Sequence, residues 1–314
     1  MYDKTPRFHT ISIAVNNMGT MLENNVFKTA LFFEGGSMRV AYTCAVAAYL
    51  LEKGIFFDNV YGVSAGSSNL VNYVSRDANR VIQSFTDFAD CSNIGNVKTF
   101  IQGKGLWNAQ HIYMEMGRPD GDLPFDFETF KANPAKSTIV AFDRDNGQDR
   151  FFREYEMATL DDLMIRVRAS STLPIAMPAP CIDGRYYYDG GFATGGGLPL
   201  KRIEEDGFEK MFVVRTRPRG FRREQTYEWA RWAFAHRPFL RDALLNRADN
   251  YNAACDLLDE WERQGRAYVF YCDNLTLTGT ERKYAPLARN FEAGYAQIQR
   301  EWPQLMTFLE QAEA

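Results

Sequence analysis

Val60-Tyr61-Gly62-Val63-Ser64-Ala65-Gly66-Ser67-Ser68-Asn69-Leu70 is the stretch that decides the fold. A short apolar run breaks into Gly-x-Ser-x-Gly and continues with helical spacing, the pattern of a strand turning sharply into a helix. A serine on such a turn needs small neighbours, here Gly62 and Gly66, because the backbone is strained and closely packed. The turn lifts the hydroxyl out of the sheet and over a helix start, where free N–H groups and the dipole favour developing negative charge. Ser64 is thus a candidate nucleophile, although the five residues alone also fit an ordinary small-residue turn.

Upstream, Thr29-Ala30-Leu31-Phe32-Phe33 is a continuous apolar run of the kind found in buried parallel strands. It ends in Glu34-Gly35-Gly36-Ser37-Met38-Arg39, and the residues from Val40 to Lys53 fit a helix closed by Gly54. The unit then repeats, with a strand over Phe56 to Val63 and a helix from the Ser64 turn to about Arg76. Two such units in succession predict a right-handed, mostly parallel sheet with helices on both faces, a three-layer α/β/α sandwich.

Downstream, a helix is expected around Val81–Phe88 and a glycine-rich loop from Gly95 to Gly105. Ser137–Asp143 and Arg150–Tyr155 form two strands paired antiparallel across Asp145-Asn146-Gly147. A helix over Leu160–Ala169 is ended by Pro174, and prolines 178 and 180 keep the chain extended. A hairpin at Ile182–Tyr188 delivers Asp189-Gly190-Gly191, Lys210–Arg215 is a further core strand, and a helix around Asp242–Glu262, a strand at Ala267–Cys272 and a helical stretch complete the chain. The expected organisation is an arm over 1–27 and a single α/β domain over 28–314.

The chain of 314 residues is 46% hydrophobic, enough for a large core, and its net charge of −4 offers no global field for nucleic acid. Five widely spaced cysteines, without Cys-x-x-Cys, argue against a disulfide framework or a zinc site. No apolar window reaches bilayer-spanning length and the N-terminus lacks the apolar core of a secretory signal, so a soluble, cytoplasmic protein is expected.

A serine hydroxyl needs a base within hydrogen-bond reach. Of the three histidines, His9, His111 and His236, only His236 follows Asp189 in the Ser, acid, His order of an α/β-hydrolase triad. It sits beside Pro238 in an Arg-rich segment without loop punctuation. The other candidate is Asp189 itself, at the end of an aromatic strand and followed by two glycines that permit close backbone approach; an Asp-Gly turn former is the plainer explanation. Gly35-Gly36-Ser37 suits an oxyanion hole, since a glycine loop at a helix start turns its N–H groups inward. The loop lacks Gly-x-x-x-x-Gly-Lys spacing, which weakens a nucleotide-binding alternative. Arg39 is placed to brace this loop or to attract an anionic head group, and a solvated or salt-bridged arginine is the plainer alternative.

In order and spacing, Gly35-Gly36-Ser37-Met38-Arg39, Gly62-Val63-Ser64-Ala65-Gly66-Ser67 and Asp189-Gly190-Gly191 resemble the motifs of the patatin-like phospholipase family, and Ala169-Ser170-Ser171-Thr172-Leu173-Pro174 is similar to the stretch that precedes the family's Asp-Gly-Gly. The resemblance runs from about Lys28 to near the C-terminus, where Asn252–Phe270 and Gly294-Tyr295 look like the tail of a bacterial subgroup. It implies a three-layer α/β/α fold and a Ser-Asp dyad without histidine: Ser64 as nucleophile, Asp189 as base, and the N–H groups of Gly35, Gly36 and Ser37 as oxyanion hole. It further implies cleavage of lipid acyl esters through an acyl-enzyme, with no metal or other cofactor. The family usually has a third glycine where this chain has Ser37 and a further one where it has Val40. A Ser cannot adopt every glycine conformation without strain, so the geometry of the hole is the point of departure.

Arg217-Pro218-Arg219-Gly220-Phe221-Arg222-Arg223, followed by Tyr227, Trp229, Trp232, Phe234 and Phe239, has the composition of an interfacial segment, which would give peripheral membrane contact through 217–240. A helix packing its aromatics inward and its arginines in water is the alternative. Three functions remain open: a lipid acyl hydrolase using Ser64 and Asp189, a carboxylesterase using His236, and a catalytically silent lipid-binding protein.

Overall fold

The computed structural model describes residues 22–87, 93–225 and 227–313, so most of the expected 1–27 arm lies outside the described residues. In chain order β1 (Thr29–Phe33), α1 (Val40–Glu52), β2 (Asn59–Val63), α2 (Ala65–Val74), α3 (Ala78–Gln83) and α4 (Val97–Ile101) precede a π-helical turn at Gln110–Glu115. There follow α5 (Phe127–Ala132), β3 (Lys136–Asp143), β4 (Asp149–Arg153), α6 (Leu160–Ser171), β5 (Cys181–Ile182), β6 (Arg185–Asp189), α7 (Leu200–Glu205) and β7 (Lys210–Val214). The chain closes with α8 (Ala230–Ala233), α9 (Pro238–Leu245), α10 (Arg247–Arg263), β8 (Ala267–Phe270) and α11 (Tyr284–Glu313).

Strands β3, β2, β1, β7 and β8 pair in parallel in that order, and β4 and β6 join β3 antiparallel. The β1 run is apolar on both sides because both sheet faces are covered: Leu31 and Phe33 enter a core with α1, α2 and α11, whereas Ala30 and Phe32 enter another with α7 and α10. This is the three-layer α/β/α sandwich the sequence predicts. Phe32 and Phe33 are at most 1% exposed, and complete burial of such a ring stabilises by roughly 1.5–3 kcal/mol.

One junction in the sheet positions the site. Strand β3 is long enough to pair with three others: β2 along Lys136–Val140, β6 along Ala141–Asp143, and β4 along Thr138–Phe142. A strand has two edges, and β4 overlaps both of the other registers, so β2 and β6 must share the remaining edge. They run toward each other along it. Val63 lies opposite Val140 and Asp189 opposite the adjacent Ala141, so both chains must leave the sheet there, at Ser64 and Gly190.

Two sequence expectations are corrected in detail. The stretch from Gly95 to Gly105 contains α4, started by a reciprocal capping box in which Asn96 and Thr99 bond each other's backbone N–H. The helix expected over Asp242–Glu262 is two helices interrupted at Asn246, and α9 begins with Pro238, whose missing N–H costs nothing at that position. No described helix is long and apolar enough to cross a membrane.

Candidate active site

Ser64 leaves β2 at φ 56, ψ −132, a backbone conformation sparsely populated by non-glycine residues, and α2 starts at the next residue. Four hydrogen bonds hold this turn. The Ser64 N–H donates to Ser170 Oγ at 2.8 Å, and Ser170 Oγ donates to the Val140 carbonyl at 2.5 Å. The Ser64 carbonyl accepts from both the N–H and the hydroxyl of Ser67, at 2.8 and 2.6 Å. Gly66 lies directly on the Phe33 carbonyl, where a Cβ would collide with backbone, which explains why the motif needs glycine there.

Asp189 is 3% exposed and caps the turn that follows it, its Oδ1 accepting the Gly191 N–H at 2.7 Å. The Ser64 side chain lies near enough to the Asp189 carboxylate to favour its charged form. Burial pushes the Asp189 carboxyl above the usual carboxylate range, opposed in decreasing order by Ser64, the Arg247 charge, the Gly191 N–H and the Arg223 charge. Gly190 sits on the Val140 carbonyl, and a Cβ on it would come within 3.2 Å of Val63 Cγ1, so the two glycines give the close approach the sequence suggested.

The loop after β1 stands over the same point. A Cβ on Gly35 would lie 2.7 Å from Ser64 Cβ, so only glycine fits against Ser64. The N–H groups of Gly35, Gly36 and Ser37 have no acceptor among the described residues. Ser37 takes φ 51, the left-handed conformation that makes a non-glycine residue costly there, by about 1–2 kcal/mol. The loop is braced from below. Thr216 Oγ1 donates to the Gly35 carbonyl at 2.6 Å, and the buried Glu34 accepts from Arg215 Nε at 3.0 Å, the Thr216 N–H at 2.7 Å and the Tyr251 hydroxyl at 2.8 Å. Arg39, half-buried at the end of the loop, makes no ion pair among the described residues.

A cavity of about 140 Å³ opens beside Ser64 and is lined mainly by apolar side chains, including Met38, Phe85, Trp107, Met164, Val167 and Met177. That is close to the volume of a dry cavity able to hold a benzene molecule.

The histidine candidates lie elsewhere. His236 is exposed between α8 and α9, and His111 bonds Glu115 at 3.0 Å through Nδ1. His9 falls outside the described residues. Sequence reasoning missed Arg247 and gave Ser170 no individual role. The Arg247 guanidinium donates to the Gly191 carbonyl at 3.0 Å and the Tyr227 hydroxyl at 2.6 Å, and lies over Phe192. Nothing in the sequence around Arg247 marks it, because its relation to Asp189 arises from packing α10 on the Gly191 turn. Ser170 sits in the Ala169–Pro174 stretch that carried part of the resemblance.

A family model described as patatin-like phospholipase matches residues 31–200, and one described as a domain of unknown function, DUF6363, matches residues 237–310. No curated protein matches the chain. Among solved structures, twelve chains match. One is the crystal structure of VipD from Legionella pneumophila, 13% identical, covering 91% of this chain and 67% of that one with a TM-score of 0.47.

Proposed function

The chain belongs to the patatin-like phospholipase family, and on that premise we propose that it is a lipid acyl hydrolase in which Ser64 and Asp189 form a histidine-free dyad. The observation that supports this reading is the meeting of β2 and β6 on one edge of β3, which brings the Ser64 turn next to the buried Asp189.

Asp189 takes the Ser64 proton as Oγ attacks the ester carbonyl, and its raised pKa makes it a better base than an exposed carboxylate. The oxyanion falls within the free N–H groups of Gly35, Gly36 and Ser37, which stabilise charge as it develops. The protonated Asp189 then gives its proton to the departing alkoxide, leaving the acyl group on Ser64. Water attacks that ester, again losing a proton to Asp189, and the acid leaves as Ser64 recovers its proton. The cavity beside Ser64 takes the acyl chain, and its methionines adapt to different chains. The four described cysteines are free thiols, in keeping with a cytoplasmic protein. Exposed Trp229, Trp232 and Phe239 beside Arg231 and Arg237 suit peripheral contact with the lipid surface through the 217–240 segment.

A second reading, lipid binding without turnover, is favoured by Ser37 alone, whose left-handed conformation strains the oxyanion loop. Hydrolysis of p-nitrophenyl esters across acyl lengths, with calcium chelated, separates the two. Ser64→Ala and Asp189→Asn are expected to lower kcat by at least about a thousandfold, a loss on the scale of other catalytic serines and acids, while His236→Ala retains turnover. An inert wild type that still binds lipid supports the second reading, and loss of activity in His236→Ala refutes the dyad.

A further inference from the structure

We propose that Arg39, Arg217 and Arg223 form a binding site for a phosphate-type oxyanion next to the Gly35–Ser37 loop.

The arginines after β7 divide into two groups. Arg215 is paired with Glu34, Arg219 holds Glu262 at 2.6 and 2.8 Å, and Arg222 holds Asp256 and Asp259 at 2.6 and 2.7 Å. Arg217 and Arg223 make no ion pair among the described residues, and neither does Arg39. The Nε atoms of Arg39 and Arg223 are buried without a hydrogen-bond partner among the described residues. Buried donors are ordinarily satisfied, and two guanidinium donors left open at one place point to a ligand.

Aromatic packing gathers Arg217 and Arg223, and Arg39 is close enough to feel the charge of both. Arg217 lies over Phe221 at 4.2 Å, Phe221 meets Tyr251 edge-on at 6.1 Å, and Arg223 lies over the same Tyr251 ring at 4.6 Å. The Tyr251 hydroxyl is bonded to Glu34, the residue just before Gly35, and Arg39 ends that loop. Glu34 offsets the cluster only in part, because its one negative charge is already paired with Arg215. Burial lowers the Arg39 pKa to about 10, with the charges of Arg217 and Arg223 adding to the depression and Glu34 and Tyr251 opposing it. Arg223 also acts on Asp189, which places the cluster within reach of the dyad. Tyr251 belongs to the core on the α10 side of the sheet, whereas the apolar cavity belongs to the α1 side, so Ser64 stands between an acyl pocket and a cationic one. Guanidinium forks match phosphate geometry and bind it bidentately.

This inference rests on the acyl-hydrolase reading for the source of the anion and is independent of it for binding. The first test is isothermal titration of the Ser64→Ala full-length chain with inorganic phosphate and with sn-glycerol 3-phosphate. Binding is expected, and it should weaken about tenfold or more on adding Arg217→Gln or Arg223→Gln, be partly restored by Arg223→Lys, and change less than about twofold with Arg222→Gln, whose charge is already paired. Circular dichroism and melting temperature establish that each variant is folded. No phosphate binding, or binding indifferent to both glutamine variants in folded protein, overturns the proposal. The source is read from kcat/KM for lysophosphatidic acid against monoacylglycerol: a ratio that falls in the glutamine variants makes the anion a substrate head group, and an unchanged ratio with lost phosphate binding makes it free phosphate. An inactive wild type that still binds phosphate would defeat the hydrolase reading and leave the anion site standing.

Discussion

Glu34→Gln tests the support beneath the Gly35–Ser37 loop. Glu34 and Arg215 are 5% and 2% exposed, and Glu34 carries three further roles by accepting from Thr216 and Tyr251 and by preceding Gly35. Removing one partner of a buried pair leaves the other charge uncompensated, at a cost of about 3–5 kcal/mol. For a chain of 314 residues at roughly 2 °C per kcal/mol, the melting temperature should fall by about 6–10 °C. The pH dependence follows from the sign of the Glu34 shift: burial raises its pKa, but Arg215, the Thr216 N–H and Tyr251 together outweigh it, so the folded-state value lies below the ordinary 4.5. A depressed carboxyl contributes stability that is fully present above its unfolded value and disappears as pH falls through the folded one. Wild type should therefore lose stability below about pH 4.5 more steeply than Glu34→Gln. The assay is urea unfolding at neutral and acidic pH, with Arg215→Met and the double variant completing a cycle; the double variant should be more stable than the two single losses summed. A Glu34→Gln loss below about 1 kcal/mol, the range of exposed ion pairs, would refute the reasoning.

Three further outcomes are expected. Arg247→Met removes a positive charge that lowers the Asp189 pKa, so the acid limb of the kcat/KM profile should move to higher pH; a limb that stays or moves down contradicts Asp189 as the base. Val167→Trp fills the apolar cavity and should shift p-nitrophenyl ester preference toward shorter acyl chains by at least about tenfold in kcat/KM ratio, the scale of a few methylenes, whereas an unchanged profile places the acyl chain elsewhere. Trp229→Ser with Trp232→Ser removes two exposed rings and should reduce co-sedimentation with anionic vesicles without changing turnover of a soluble short-chain ester; unchanged sedimentation ends the case for membrane contact through 217–240.

Local patterns were enough to define most of the elements and to single out Ser64 as a candidate nucleophile. Apolar runs at Thr29–Phe33, Asn59–Val63 and Lys210–Val214 announce buried parallel strands because their residue types admit no solvent-facing side. Gly62, Gly66 and the glycines after Asp189 mark close approach, since a missing Cβ is written in the sequence even when the atom it would strike is not. The α9–α10 break at Asn246 escaped because it has neither glycine nor proline at the joint. What tertiary structure alone decided is which distant groups meet. Ser64 and Asp189 are neighbours because two strands run head-on along one edge of β3, a consequence of pairing register. Arg247 reaches the Gly191 turn through the seating of α10, and Arg217 and Arg223 differ from Arg219 and Arg222 only in which acidic side chains folding sets beside them. A sequence specifies the charges and small residues each segment carries, but pairing depends on separations of a few ångströms between segments far apart in the chain, and those exist only once the sheet and its two helical layers have closed.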